Sequence, residues 1–548
     1  LNRNQELPRD RAELYTQSSR VLLQQWEVEK ALDEADALAI DYKDKQAMLR
    51  AVAFHMQATT SGLAGNLIRG QELQAILSDY LGELKLHNAD NAATQVIDQL
   101  RQRNFILCYL GADYYAIVHR TFLEYFCAWE FVWRFEKEQT LSLDSLLHDV
   151  FEAHYQDESW HEVLRLICGM IDSKFVGEIV EFLMGLPVDR TKVNDFGSVT
   201  KESYIHLLLA VDCIGEARNP NLIVVPRSKL LGLLKHTLQT LFVSLFSDVP
   251  AALVRVIAQG WADDSDTLLW LKSRARHDEY FTVRQAAVEA IAQGWADDYG
   301  TLPWLKSRVQ HDSDEYVRQA AVQELARGWA DDPETLTILK SRAQHDKNWQ
   351  VRQAVVRELA RGWADDPETL TWLKSRAQHD EDSTVRQAAV QELARGWADD
   401  PETLTILKSR AQHDKNWQVR QAVVRELAQG WVDDPETLTI LKSQAQYDSD
   451  EYVRRVTVRE LAQGWIHDPE LFDFLWDRAL HDPVEHEPKQ WRHPRLAALE
   501  AILRNYPDHP RLKELLVDRA NNDADQKVRE LAQQQFKRRF GNEVGELI

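Results

Sequence analysis

GWADDPETLTILKSRAQHDKNWQVRQAVVRELAR, residues 328–361, is one period of a pattern that decides the fold. The same frame opens at Gly260, Gly294, Gly328, Gly362, Gly396, Gly430 and Gly464, always 34 residues apart. Within the period, Asp332 stands before Pro333, a capping side chain ahead of a residue whose missing N–H costs nothing at the first helical position. Leu336, Leu339 and Ala343 then share one helical face. His345 and Asp346 close that helix and open a turn. Val351, Val355 and Leu359 form a second apolar stripe, and Ala354 beside it leaves room for a neighbouring helix. Gly362 reads as the C′ glycine that ends the second helix. Two antiparallel helices cannot bury such faces alone, so the units must stack. The spacing predicts an α-solenoid over residues 247–548.

Thirty-four residues is also the length of a tetratricopeptide unit, but the W-x2-L-G-x2-Y signature of that unit is absent. The pattern present is D-x4-V-R-x-A-x4-L-A: Asp346, Val351, Arg352, Ala354, Leu359 and Ala360, with the Val-Arg pair recurring at 317–318, 385–386 and 419–420. This resembles HEAT repeats. The resemblance implies that Asp346 and Arg352 belong to a polar ladder running between adjacent units.

Two columns of the repeat invite functional readings. Trp261, Trp295, Trp329, Trp363, Trp397, Trp431 and Trp465 each follow a frame glycine, a register that points to packing between repeats. His277, His311, His345, His379 and His413 supply one histidine per unit. A structural zinc needs about four converging ligands, so no metal is expected on this column. His481, Glu485, His486 and His493 sit together in an irregular segment, where a solvated loop is the preferred reading over a metal site.

The copies differ mainly in one four-residue window: EYFT (279–282), SDEY (313–316), KNWQ (347–350), EDST (381–384), KNWQ (415–418) and SDEY (449–452). The block 328–361 recurs almost unchanged at 396–429, so the array has grown by copying units in pairs. Tyr280, Tyr316, Trp349, Trp417 and Tyr452 set aromatic rings among charges in this window. That composition suits a partner-binding surface, and relaxed constraint on an exposed turn is the competing explanation. On the interface reading, replacing Trp349 and Trp417 by alanine weakens binding and leaves stability nearly unchanged.

The amino-terminal half has no repeats. Arg11–Trp26 is a long amphipathic stretch. FILCYL (105–110), a turn at Gly111-Ala112-Asp113 and YYAIVH (114–119) predict the hairpin of a winged helix, and His119–Val132 reads as a buried helix. Cys108, Cys127, Cys168 and Cys213 lie in apolar context and are expected to be buried free thiols. Net charge is −22, from 65 basic and 87 acidic residues, which argues against a general grip on nucleic acid. Lys340, Arg342, Lys347, Arg352, Arg357 and Arg361 crowd one unit, but Asp380, Glu381 and Asp382 in the next interrupt any basic track. No apolar run is long enough to span a bilayer and no signal peptide is visible, so a cytoplasmic protein is expected.

LNRNQELPRDRAELY at the start and YYAIVHRTFLEYFCAWE at 114–130 resemble the distal part of NACHT-type nucleoside triphosphatases of the STAND class. In that family an ATPase core is followed by helical and winged-helix modules and then by a repeat sensor. The H-x-T-F-x-E-Y/F-x-x-A segment is carried here by His119, Thr121, Phe122, Glu124, Tyr125 and Ala128. The resemblance implies that His119 contacts the β-phosphate of bound ADP and holds a closed state. No G-x4-G-K-[S/T] loop is present, and no Ser, Cys or zinc-protease motif is found, so the chain itself is not expected to be an enzyme. Because it begins with Leu1, the expectation is an upstream nucleotide-binding core that would use ATP or ADP with Mg²⁺.

The sequence thus predicts an all-α chain in three parts: 1–135, helical and winged-helix; 136–246, a helical linker; and 247–548, the HEAT-like solenoid. Its expected function is the sensing and regulatory portion of a STAND switch, with a protein trigger on the repeats, homo-oligomerisation on activation and a role in prokaryotic innate immunity such as antiphage defence. A constitutive protein–protein scaffold without nucleotide switching is the alternative.

Overall fold

A computed structural model describes residues 11–30, 40, 42–58, 66–85, 88–102, 106–195, 199–240, 249–483 and 493–541. The chain forms two compact units, Leu1–Ala290 and Ile291–Ile548. No helix among the described residues is long and apolar enough to cross a membrane.

In the first unit the element order is α1 (Arg11–Lys30), α2 (Tyr42–Ala58), β1 (Ile68–Arg69), α3 (Gly70–Glu83), α4 (Ala89–Gln102), β2 (Leu107–Gly111), β3 (Tyr114–Ile117) and α5 (Arg120–Trp133). This is a winged helix. The hairpin β2–β3 is antiparallel and pairs Leu107 with Ile117 and Tyr109 with Tyr115; a bulge between Tyr109 and Gly111 precedes the turn. Gly111, Ala112 and Asp113 all take positive φ (93°, 49° and 63°), the conformation a tight hairpin turn requires. The sequence showed two strands; the structure adds β1 on the other side of β3, two residues long, in the order β1-β3-β2. Helix α5 is the apolar post of the module. Leu123, Tyr125, Phe126, Cys127 and Ala128 are buried, and α2 and helix Glu158–Met170 pack on it. Cys127, Cys168 and Cys213 are buried free thiols as expected, and burial pushes the Cys127 thiol up. Cys108 is only partly buried, because it sits on the wing, where its thiol donates to the Ala116 carbonyl.

Helices Ser173–Gly185, Ile205–Glu216 and Val224–Thr240 follow, and the first repeat helix, Val249–Gly260, packs on the last two of them. A Cβ at Gly260 would come within 2.9 Å of the Val211 side chain, so this frame glycine is needed for close approach. Arg227 fixes the same joint by donating to the Gly260 carbonyl and pairing with Asp263.

The second unit is an α-solenoid. First helices such as Pro333–His345, Pro367–His379 and Pro401–His413 alternate with second helices such as Trp349–Gly362, Ser383–Gly396 and Trp417–Gly430. Asp332, Asp366, Asp400 and Asp434 cap the first helices, each accepting from backbone N–H groups of the first turn ahead of a proline at its start. Asn348, Asp382, Asn416 and Asp450 cap the second helices. The second apolar stripe is as the sequence implied, with Val351, Val355 and Leu359 fully buried and Val356 joining them. On the first helix Leu339 and Ala343 are fully buried; Leu336 is only half-buried, and Ile338 takes the inward position instead. The tryptophan column is graded: Trp465 is buried, whereas Trp329, Trp363, Trp397 and Trp431 are half-buried.

The frame glycines of this unit do not act as left-handed caps. Among the described residues only Gly111 is a glycine with positive φ. The helix runs through Gly362, and the N–H of Trp363 still reaches the Leu359 carbonyl at 3.0 Å; Trp363 itself is the cap residue, at φ −135°. A Cβ at Gly328, Gly362, Gly396 or Gly430 would meet nothing within 4 Å. With neither φ nor space demanding glycine, Gly362→Ala is expected to raise stability by about 0.4–1 kcal/mol, chiefly by stiffening the unfolded chain. Urea unfolding checks this; a net loss would restore the capping role.

Candidate functional site

Two regions carry the candidate residues. The first is the amino-terminal mouth of α5. His119 is the N-cap residue (φ −118°, ψ 118°), exposed, and its side chain makes no capping hydrogen bond. Its ring centroid lies 6.4 Å from that of Phe122, and its carbonyl accepts from the Phe122 N–H at 2.9 Å. Behind it the rings of Tyr15, Phe122, Tyr125, Phe126 and Trp129 pack on one another. Arg11 ties α1 to the helices behind by pairing with Glu162 and Glu216. Arg120 is held by Glu124 at 2.8 Å, and burial raises the Glu124 carboxyl against that pairing. An exposed imidazole at the positive end of a helix whose first turn holds no acid can receive an anion.

The second region is the start of the second helices. Two charge ladders fix its register. Arg318, Arg352, Arg386 and Arg420 each donate Nε and Nη2 to the two oxygens of Asp346, Asp380, Asp414 and Asp448, 28 residues on, at 2.6–3.2 Å. Arg454 reaches Asp482 in the same way. Each of Arg318, Arg352, Arg386 and Arg420 also donates Nη1 at 2.9 Å to the carbonyl of the aspartate in its own unit. These arginines and the aspartates they reach are buried. Burial alone would raise the Asp414 carboxyl; the Arg386 hydrogen bonds and charge outweigh it and hold it below its ordinary value. At Asp482 burial prevails and the carboxyl is raised.

The sequence reading missed the second ladder. Lys306, Lys340, Lys374 and Lys408 each bridge two carboxylates of the next unit, Lys408 for instance reaching Asp434 at 2.9 Å and Glu436 at 2.6 Å. The lysine hydrogen bonds hold the Asp332 and Asp434 carboxyls below their ordinary value. Glu358, Glu426 and Glu460, on the second helices, are pushed the other way by burial.

The five window aromatics do not form one cluster. Tyr280 lies in the first unit and is half-buried; Tyr316, Trp417 and Tyr452 are half-buried in the second. Trp417 stacks on Tyr452 of the next repeat, with centroids 5.3 Å apart and planes at 26°, and Arg455 covers the Tyr452 ring at 5.1 Å. Trp349, in the identical KNWQ stretch one block earlier, is 38% exposed and stacks on no other ring among the described residues. The six cations of unit 328–361 also divide. Lys340 and Arg352 are engaged by the ladders, which leaves Arg342, Lys347, Arg357 and Arg361. Of the suspected histidine cluster, Glu485 and His486 lie outside the described residues. His481 pairs with Asp477 and His493 with Asp525, and no group of three or more potential ligands converges among the described residues.

With this geometry in hand, residues 11–131 match the family described as the winged helix-turn-helix domain C-terminal to NACHT. Four overlapping stretches, 234–326, 302–394, 382–462 and 404–491, match HEAT repeats. No curated protein matches the chain. Among solved structures it is similar to E. coli YibA, at 17% identity over 52% of this chain and 96% of that one, with a TM-score of 0.33. It is also similar to Kap121p bound to Nup53p, at 13% identity over 98% of this chain and 58% of that one, with a TM-score of 0.40. The UNC-45 chaperone is a further likeness, at 10% identity, 91% and 64% coverage and a TM-score of 0.26.

Proposed function

From a chain that joins a NACHT-associated winged helix to a HEAT-repeat array, we propose the sensing and regulatory portion of a STAND-class switch. That pairing in one polypeptide is the observation that carries the reading. In it, the array receives a protein trigger on the face bearing the variable window, with Trp349 as the exposed aromatic anchor. The winged helix passes this event to a nucleotide-binding core, where His119 contacts the phosphate of ADP bound with Mg²⁺ and favours the closed state. The trigger acts by binding the open state more tightly than the nucleotide contacts favour the closed one. Homo-oligomerisation in the cytoplasm follows, and defence against phage is the setting that suits an array whose frame is copied while its window changes.

The test uses the gene product as its own cell makes it. ADP is expected to co-purify with the parent protein, and to be released at least about tenfold faster from His119→Ala, as loss of a hydrogen bond to a charged group implies. If neither protein carries nucleotide, the switch reading falls and a constitutive HEAT scaffold takes its place.

A further inference from the structure

An open pocket of about 240 Å³ lies in the second unit, between the turns that end two successive first helices. Its carboxylates are already occupied. Asp346 accepts from Arg318 at 2.8 and 2.9 Å and from the Asn348 N–H. Asp312 accepts from Arg308 at 2.8 Å and from the Asp314 N–H. Two cations in the lining are not matched in this way. Lys347 is exposed and forms no ion pair among the described residues. Arg342 donates to the Gln310 carbonyl at 3.3 Å and approaches Asp346 only at 3.9 Å, and its Nε is buried without a partner. Ser313 stands on the opposite turn, and His311 and His345 complete the lining, the His345 Nδ1 already donating to the Ser341 carbonyl at 3.1 Å.

We propose that this pocket binds a phosphate group. Two cations, a hydroxyl and two imidazoles present more donors than a planar carboxylate can use, and they suit the three acceptor oxygens of a phosphate monoester. The repeats supply an internal comparison. Lys415 is the copy of Lys347, but Glu381 stands on its facing turn where Ser313 stands here, and that carboxylate cancels the surplus. One junction further on, Gln444, Tyr447 and Ser449 replace Arg342, His345 and Lys347. Copying has therefore produced several such junctions in the second unit, and only the one between 313 and 347 joins a serine to the Arg342–Lys347 pair. The inference is independent of the nucleotide-switch reading, because it concerns the repeats and not the winged helix.

Isothermal titration of the full chain with inorganic phosphate, a phosphoserine peptide and AMP tests it, with acetate as control. Saturable binding in the millimolar range or tighter is expected for phosphate. Loss of one charge-assisted contact in Lys347→Gln should weaken it about tenfold. Ser313→Glu should abolish it, and Lys415→Gln should leave it unchanged. Glutamate already occupies the position equivalent to Ser313 at 381, so Ser313→Glu is compatible with the fold, and thermal melting verifies this. Tighter binding of the peptide assigns the phosphate to a phosphoprotein; tighter binding of AMP assigns it to a nucleotide; equal affinities assign it to free phosphate. The proposal is overturned if no phosphate compound saturates, if acetate binds as well, or if Lys415→Gln matches Lys347→Gln.

Discussion

Arg386→Ala is expected to destabilise the second unit by about 3–5 kcal/mol, the cost of removing one partner from a buried ion pair. Arg386 donates Nε and Nη2 to Asp414 at 2.8 Å each, and Nη1 to the Asp380 and Glu381 carbonyls at 2.9 and 3.2 Å. Both charged groups are 3% exposed. Without the arginine, Asp414 keeps only the Asn416 N–H and a 3.5 Å approach from Arg410. Its charge is then buried and undercompensated, and two carbonyls lose their donor. In a stack whose stability is a sum over units and their joints, this weakens one joint in the middle of the array. Urea unfolding should then show two transitions where the parent shows one. The double variant Arg386→Met/Asp414→Leu should recover most of the loss, because it removes both charges together. A cost below about 1 kcal/mol for Arg386→Ala would mean that the ladder behaves like a set of surface pairs.

The arginine–aspartate ladder was expected from the resemblance to HEAT repeats, since the recurring offset of Asp346 and Arg352 does not by itself say which groups pair. Caps such as Asp332 and stripes such as Val351, Val355 and Leu359 were legible for a different reason: each acts within one or two helical turns. What failed depended on distant neighbours. Strand β1 is two residues long and exists only because β3 lies beside it, and two residues cannot display a period. The lysine ladder looked like ordinary surface charge, although Lys306 and Glu334 keep the same 28-residue offset as Arg318 and Asp346, a signal that was available. Gly362 was misread because a glycine after a helical stripe is usually a left-handed cap, whereas here the tryptophan after it ends the helix without leaving negative φ. For the candidate sites, the family resemblance pointed to His119, and the differences between the copies marked the window as a place of change. It could not tell Trp349 from Trp417, since KNWQ is spelled identically at both. Their difference lies in the next repeat, where Thr384 stands at the position equivalent to Tyr452, the ring on which Trp417 stacks.

That difference makes the two tryptophans separable by experiment. Trp417→Ala is expected to lower stability by about 1–3 kcal/mol: an aromatic pair contributes about 0.5–1.5 kcal/mol beyond the area it buries, and the half-buried ring contributes that area as well. Its ring stacks on Tyr452 and packs against the carboxy-terminal hydrophobic cluster, which includes Val453 and Val456. Trp349 is 38% exposed and has no such partner ring, so Trp349→Ala is expected to cost about 0.5–1.5 kcal/mol less than Trp417→Ala, the pair contribution it lacks. The sequence offered both as interface residues, with relaxed constraint on an exposed turn as the competing explanation; the stacking of Trp417 on Tyr452 separates the two positions. If the window face binds a protein, Trp349→Ala should weaken that binding by about 2 kcal/mol or more, the cost typical of an aromatic anchor. Tyr452→Ala should reproduce much of the stability loss of Trp417→Ala, and the double variant should cost less than the two single losses added together, since both remove one contact. Equal stability losses at 349 and 417 would mean that Trp349 is a packing residue, and the variable window would then lose its exposed anchor.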